Sequence, residues 1–189
     1  MNDDSVYLWG VLERSSQKLV GEYLKDNIQD RFIYKQGVEI KESIITPTVV
    51  FNDTTTNKLK RFSCLESNTM VPIIDAKIST ILSRLAAHQI QLMDVIIKAK
   101  DGELKGYKIL NVTHECDGLL NEEKTVYNFI PSTNHIFGFK KFEYKKACLN
   151  EMKTVRNKIY HGHLLVSLQV KKSLEAIENL GINFVKVSG

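Results

Sequence analysis

One short segment carries residue types from which a phosphate-directed active site could be built. Arg156 is followed directly by Asn157 and, five positions after the arginine, by His161. A guanidinium can hold a phosphate through two parallel hydrogen bonds, and an imidazole that titrates near neutral pH can move the proton of a ribose 2′-hydroxyl. Arg156, Asn157 and His161 are therefore the candidate catalytic set, and the chemistry they suggest is cleavage of RNA.

The segment resembles the R-N-x-x-x-H signature of HEPN-type ribonucleases, in which the arginine and the histidine act on RNA. Those domains are all-helical bundles, whereas this segment follows strand-rich sequence. This difference in fold argues against a HEPN-like ribonuclease, which we keep as an alternative function. A non-enzymatic nucleic-acid-binding module is the other alternative.

Both alternatives depend on a basic region over residues 137–172. This region contains nine Lys or Arg residues and two acidic ones, a net charge of +7. Since the whole chain carries +4, the remainder carries −3. Such a block would attract an acidic protein surface or a nucleic-acid backbone, although a lysine-rich face exposed to solvent is the simpler explanation.

Other chemistry has little support in the sequence. The glycine-rich phosphate-binding motifs, H-E-x-x-H and G-x-S-x-G are missing. His114-x-Cys116 and His161-x-His163 each supply only two metal donors, and a structural zinc site needs four. We therefore expect neither a metal nor a cofactor.

Length and composition indicate one folded domain. The chain has 189 residues, of which 43% are hydrophobic and 25% are charged, as in ordinary globular proteins. The first residues lack the basic and apolar regions of a secretory signal, and no stretch is apolar enough for a membrane helix. We therefore expect a cytoplasmic protein with no membrane partner.

The N-terminal part, residues 1–69, is predicted to be β-rich and irregular. Residues 5–12 are aromatic and β-branched, which is typical of a strand. From about Ser15 to Leu24 the apolar residues recur at spacings that predict a short amphipathic helix. The polar run over residues 52–57 is typical of an exposed turn.

The rest of the chain predicts an α+β fold with antiparallel-rich sheets and two principal amphipathic helices, over about 75–88 and 167–180. Asp75 and Ser167 are suitable N-caps, and Gly181 is placed to end the second helix. Asp101 and Gly102 predict a tight turn between strands over 90–99 and 107–112. A shift of 92 residues superposes seven apolar positions of the two helix-then-strand units, so an internal duplication is an open alternative to chance.

Four segments in order resemble the eleventh immunity-protein family of bacterial polymorphic toxin systems. They are Val71-Pro72-Ile73-Ile74, Tyr107 to Val112, Cys116-Asp117-Gly118-Leu119 through Lys124, and Leu164-Leu165-Val166-Ser167 through Phe184. The resemblance covers roughly residues 70–187. It implies an α+β protein that binds and neutralises a cognate toxin without catalysis of its own.

An inhibitor of this kind needs aromatic anchors in a charged setting. The best segment for this role is residues 137–146, where aromatic and lysine residues alternate. The candidate partner-binding residues are Phe139, Lys140, Lys141, Phe142 and Tyr144, with core packing of the aromatics as the competing interpretation. The toxin's identity is open, and so is the oligomeric state, with a homodimer among the alternatives.

Overall fold

A computed structural model describes residues 4–10, 19–24, 30, 32–41 and 45–188. The strands are β1 (Val6–Gly10), β2 (Val20–Tyr23), β3 (Thr48–Phe51), β4 (Cys64–Ser67), β5 (Ile73–Asp75), β6 (Ile90–Asp94), β7 (Ile96–Ala99), β8 (Gly102–Leu104), β9 (Tyr107–Val112), β10 (Glu115–Cys116), β11 (Val126–Phe129), β12 (Ile136–Lys141), β13 (Thr154–Asn157), β14 (Leu164–Ser167) and β15 (Asn183–Lys186). The α-helices of this part of the chain are α1 (Thr56–Leu59), α2 (Ala76–Leu85) and α3 (Leu168–Glu175).

The strands form three sheets. One has five strands in the order β10-β13-β14-β1-β15, one has eight in the order β6-β9-β5-β4-β2-β3-β7-β8, and β11 pairs only with β12. The parallel pairs among these are β10 with β13, β2 with β4, and β3 with β7, and the others are antiparallel. The predicted α+β class with antiparallel-rich sheets is confirmed.

Three hydrophobic cores hold the sheets together, and neighbouring residues of single strands contribute to different cores. In β5, Ile74 packs with α2, α3 and the five-stranded sheet, whereas Ile73 packs inside the eight-stranded sheet. This follows from the alternation of side chains along a strand. The third core lies on the opposite face of the five-stranded sheet, where Val155 and Leu165 are covered by the β11–β12 pair and by residues 142–152.

Both longer helices begin at the residues that the sequence marks as caps. The Asp75 carboxylate accepts hydrogen bonds from the amides of Lys77 and Ile78, at 2.9 and 3.1 Å. The Ser167 hydroxyl accepts one from Val170 at 3.4 Å. The helices end at Leu85 and Glu175, earlier than the sequence predicts. Neither the two principal helices as predicted nor the internal duplication is confirmed.

The strands over 90–112 form a branched hairpin rather than a simple one. β6 pairs with β9 from Ile90 opposite Val112 to Asp94 opposite Lys108. The segment between them continues into the separate pair β7–β8, which the turn at residues 100–101 closes. Asp101 also accepts hydrogen bonds from the Thr56 amide and hydroxyl at 2.7 and 3.1 Å, so this turn is joined to α1. The run over 52–57 was predicted as an exposed turn, but its last two residues, Thr56 and Asn57, are the first residues of α1.

The helix predicted over Ser15–Leu24 is wrong where the structure describes it. Residues 15–18 lie outside the described part, and Val20–Tyr23 form strand β2. β2 is held between β3 and β4, and a Cβ at Gly21 would lie only 2.4 Å from a Val49 methyl. Pairing with two distant strands determines this conformation, and tertiary pairing commonly overrides so short a local pattern.

Gly181 is needed for a close backbone approach rather than to end α3. It has φ +80°, and a Cβ there would lie 2.3 Å from the Cys64 carbonyl oxygen. Neighbouring Leu180 accepts a hydrogen bond from the Cys64 amide at 2.9 Å, which fixes this approach.

We expect Gly181→Ala to lower the free energy of unfolding by about 2 kcal/mol, because a left-handed alanine is strained and its Cβ would collide with β4. Urea unfolding measures the loss. Gly106→Ala is the matched control, because Gly106 also has a positive φ, +92°, but has open space around it. Equal losses in the two variants would contradict the importance of the approach to Cys64.

In the part of the chain that the structure describes, no helix has the length and apolar character required to cross a membrane.

Candidate functional site

The β11–β12 pair and its connecting turn, residues 126–141, form a two-stranded unit that we call the ribbon. Four of the eleven large hydrophobic residues exposed in the described structure lie within residues 126–137 of this unit. They are Val126, Phe129, Ile130 and Phe137, which are 48, 50, 45 and 56% exposed. Single exposed apolar residues are ordinary, but a cluster of this kind commonly marks an interaction surface.

The inner face of the ribbon is anchored by aromatic contacts. Tyr127 lies opposite Phe139 across the strand pair, with 5.4 Å between the ring centroids. The Phe139 ring is stacked on the imidazole of His163 at 5.0 Å and contacts Phe142 at 5.4 Å. Each aromatic pair stabilises the fold by about 0.5–1.5 kcal/mol beyond the stabilisation that comes from burying its apolar surface. The ribbon is therefore held on the core through Tyr127 and Phe139, while Phe129, whose ring lies 6.0 Å from that of Tyr127, keeps half of its surface exposed.

A buried hydrogen-bonded chain lies beneath these rings. The Ile159 amide donates to Asn157 Oδ1 at 2.9 Å, which fixes the orientation of the Asn157 amide. Asn157 Nδ2 donates to the Tyr144 hydroxyl at 2.7 Å, and this hydroxyl lies 2.8 Å from Nδ1 of His163. Among the described residues the hydroxyl has no other acceptor, so it donates to Nδ1, and neutral His163 carries its proton on Nε2. Burial lowers the pKa of His163 to about 4, which keeps it neutral.

The five predicted partner-binding residues differ in how exposed they are. Lys140 and Lys141 are exposed, and the described residues give them no ion-pair partner. Phe139 and Phe142 are partly buried in the third core. Tyr144 is fully buried, so a partner cannot contact it in this conformation. Of the five, the two lysines remain the candidates for direct contact.

The predicted partner-binding residues include none of the four exposed apolar residues of the ribbon. Phe137 lies inside the predicted segment, 137–146, and the other three lie before it. A signal was present. The apolar run over 126–130 is followed by Pro131 and a polar turn and then by the strand from Ile136, which is the pattern of a hairpin.

The candidate catalytic residues occupy very different environments. Arg156 lies on strand β13 and is fully buried, and Asn157 belongs to the chain beneath the ribbon. His161 Nε2 lies 2.8 Å from a Glu115 carboxylate oxygen, and the other oxygen lies 3.5 Å from the Lys158 ammonium. This cluster is partly exposed, but the guanidinium that would bind phosphate is not.

The segment over residues 32–41 accounts for the burial of Arg156. Gly37, with φ +73°, lies so close that a Cβ on it would be 2.8 Å from the Glu115 Cβ and 3.2 Å from the Arg156 Cβ. Nη1 of Arg156 donates to the His161 carbonyl at 3.1 Å, whereas Nε and Nη2 have no partner among the described residues. Burial lowers the pKa of Arg156 to about 10, so the group remains charged at neutral pH.

The basic region over 137–172 does not form one continuous charged face. Lys158 pairs with Glu115 and Lys171 with Glu175, while Arg156 is buried. Lys140 and Lys141 thus supply the charge at the ribbon.

The two sequence pairs considered as metal ligands are not assembled into a site. His161 faces Glu115 and His163 faces Tyr144. Over the described ranges, the structure contains no group of three or more His, Cys, Asp or Glu residues that could hold a metal ion.

We expect the purified protein to leave single-stranded RNA intact, because the Arg156 guanidinium cannot reach a phosphate. Gel analysis of labelled RNA tests this, with His161→Ala behaving like the unaltered protein. Cleavage that disappears in both His161→Ala and the volume-matched Arg156→Met, but persists in His88→Ala, would contradict it.

Comparison of the sequence with models of known protein families and with curated proteins finds no match.

Proposed function

We propose that this chain is a cytoplasmic immunity protein that binds a cognate bacterial toxin through the ribbon and blocks the toxin's active surface. The observation that carries the proposal is the cluster of exposed apolar residues on the ribbon, beside Lys140 and Lys141. The resemblance of residues 70–187 to the eleventh immunity family supports the same function. Inhibition by occlusion needs no cofactor and no catalysis by the chain itself.

The ribbon has the features of a binding anchor. Exposed Phe129 and Phe137 can be desolvated by a partner, and aromatic residues at the centre of an interface often carry most of its binding energy. The packed inner face means that little conformational freedom is lost on binding, which favours affinity.

The two lysines indicate the chemistry of the partner's surface. Lys140 and Lys141 would lie at the rim of the interface, where charges steer association. A toxin face with an apolar depression and carboxylates around it is the complementary surface.

A nucleic-acid-binding module is the second candidate, because exposed phenylalanines beside lysines can also stack on unpaired bases. The dependence of binding on salt concentration distinguishes the two functions. Binding to phosphates weakens steeply with salt through counterion release, whereas an interface anchored on aromatic residues loses mainly its association rate.

We expect the double charge reversal Lys140→Glu with Lys141→Glu to slow toxin association by about tenfold at low salt, with a smaller effect at high salt. Dissociation should change little, because the aromatic anchors are retained. Surface plasmon resonance at two ionic strengths measures both rates. Lys98→Glu with Lys100→Glu, on β7 and the following turn, is the control for net charge. Unchanged association in the ribbon variant would exclude the two lysines from the interface.

Self-association through the ribbon is the competing use of this surface. We propose that the ribbon is free to bind toxin. Light scattering after size exclusion tests this: a dimer that Phe137→Ser converts to a monomer would show that the ribbon joins two copies.

We also propose that the chain contains an internal duplication. In one unit, β5 leads into α2 and then β6, and both strands pair antiparallel with β9. In the other, β14 leads into α3 and then β15, and both strands pair antiparallel with β1. The same strand-helix-strand order at the 92-residue shift supports a common origin, although the shared central strand follows the first unit as β9 and precedes the second as β1. Superposition of the two units in an experimental structure would test it.

A further inference from the structure

A cleft with His163 in its lining lies between the five-stranded and eight-stranded sheets. It has a volume of about 260 Å³ and is lined by the end of β1, the start of β4, residues 70–72 and the loop that joins β13 to β14. Its lining includes Trp9, Cys64, Met70, Tyr160, Gly162 and His163. The proposed function does not use this cleft.

The lining combines aromatic and apolar side chains with the polar groups of Glu66, Tyr160 and His163. His163 is 9% exposed and lines the cleft. Because Nδ1 of His163 accepts from the Tyr144 hydroxyl, the ring proton is on Nε2, and Nε2 has no hydrogen-bond partner among the described residues. A ligand with an acceptor atom can therefore gain a hydrogen bond that the protein itself leaves unmade.

Size and shape restrict the ligand further. An engineered apolar cavity of about 150 Å³ in another protein holds benzene, and pockets for drug-sized ligands are about 300–1,000 Å³. The cleft lies between these sizes, so it suits a molecule of one or two fused rings. Trp9 and Tyr160 supply aromatic surface for such a ring.

We propose that this cleft is a binding site for a small planar aromatic molecule whose carbonyl oxygen accepts a hydrogen bond from Nε2 of His163. The ring lies among Trp9, Met70 and Tyr160. A ligand of the same size without an acceptor atom cannot make this hydrogen bond, because Nε2 donates and cannot accept.

Two probes of nearly equal shape test the proposal. Acetophenone has a carbonyl group, and α-methylstyrene replaces its oxygen with a methylene group. Each is titrated into the full-length ¹⁵N-labelled protein and followed by heteronuclear NMR. Trp9 is the only tryptophan of the sequence, so one indole signal reports on the cleft, together with the amides of Gly162 and His163.

We expect saturable shifts of these signals with acetophenone and binding of α-methylstyrene that is about three- to tenfold weaker, the usual value of one net hydrogen bond. In His163→Phe, which retains an aromatic ring, the preference should disappear. It should persist in His88→Gln, whose side chain is exposed and outside the cleft.

Three results would overturn the proposal: no saturable shift with acetophenone, equal affinity for the two probes, or an unchanged preference in folded His163→Phe. If His163→Phe does not fold, the two-probe comparison on the unaltered protein decides the question alone. None of these results bears on toxin binding through the ribbon, so the two proposals can fail separately.

Discussion

Replacing Phe129 and Phe137 together by serine is expected to weaken toxin binding by at least about 100-fold, mainly through faster dissociation. Both side chains are about half exposed in the free protein, so their truncation mainly removes contacts made with the partner. Within the fold it also removes the packing of Phe129 on Tyr127, whose rings lie 6.0 Å apart. Calorimetry and surface plasmon resonance give the affinity and the two rates.

The matched control for this double variant is Val185→Ser. Val185 is 43% exposed on strand β15, outside the ribbon, so its loss removes a comparable apolar surface elsewhere. All variants should retain the thermal unfolding of the unaltered protein. Unaltered affinity in the phenylalanine variant would exclude Phe129 and Phe137 from the interface.

We expect Phe142→Ala, in contrast, to destabilise the fold without removing a contact with the toxin. The Phe142 ring packs 4.7 Å from His163 and 6.0 Å from Tyr144 between ring centroids. We interpret Phe142 as a support of the ribbon rather than a contact residue, and its loss acts on binding only through the fold.

The second large effect is acid destabilisation through His163. Burial lowers the pKa of His163 to about 4, against about 6.5 for a histidine in an unfolded chain. Between these values the unfolded chain binds a proton that the folded protein does not. The free energy of unfolding therefore falls as the pH is lowered from about 6.5 to about 4, by about 3 kcal/mol in total.

Urea unfolding across this pH range measures the effect. His163→Gln should remove most of the slope, whereas His88→Gln, with an exposed histidine, should retain it. Carboxylates with lowered pKa values, such as Asp101 bonded to Thr56 and Glu143 bonded to Lys124, lose their contribution at lower pH. A slope that His163→Gln leaves unchanged would contradict the buried, neutral state of His163.

Local signals predicted the parts of the fold that local interactions form. Asp75 and Ser167 cap their helices through bonds within three residues, and such bonds depend on little besides nearby sequence. A turn was also predicted nearby, at Asp101 and Gly102, but it lies one residue earlier, at Lys100 and Asp101, and Gly102 pairs with Ala99. By contrast, Val20–Tyr23 form a strand because β3 and β4 lie on either side, and no pattern within four residues encodes those partners.

In the candidate site, too, the sequence predicted features that depend on nearby residues but not those that depend on distant ones. The sequence predicted a strand over 137–141 with Phe137 and Phe139 on one packed face. The strand is present as part of β12, but Phe137 is 56% exposed, and the β11–β12 pairing shifts register at two points. The sequence could not predict the burial of Arg156, because residues 32–41, more than a hundred positions away, cover it. A motif of six residues specifies residue types, whereas accessibility depends on the whole fold.

The central proposal is that the ribbon binds and blocks a toxin, which requires a toxin gene beside its own. The most direct test is calorimetric titration of the protein into the domain that such a gene encodes. Toxin activity is followed in the same samples. We expect one-to-one binding, complete loss of toxin activity at one equivalent, and failure of Phe129→Ser with Phe137→Ser to protect. The absence of saturable binding, or inhibition that this double variant leaves intact, would contradict the claim.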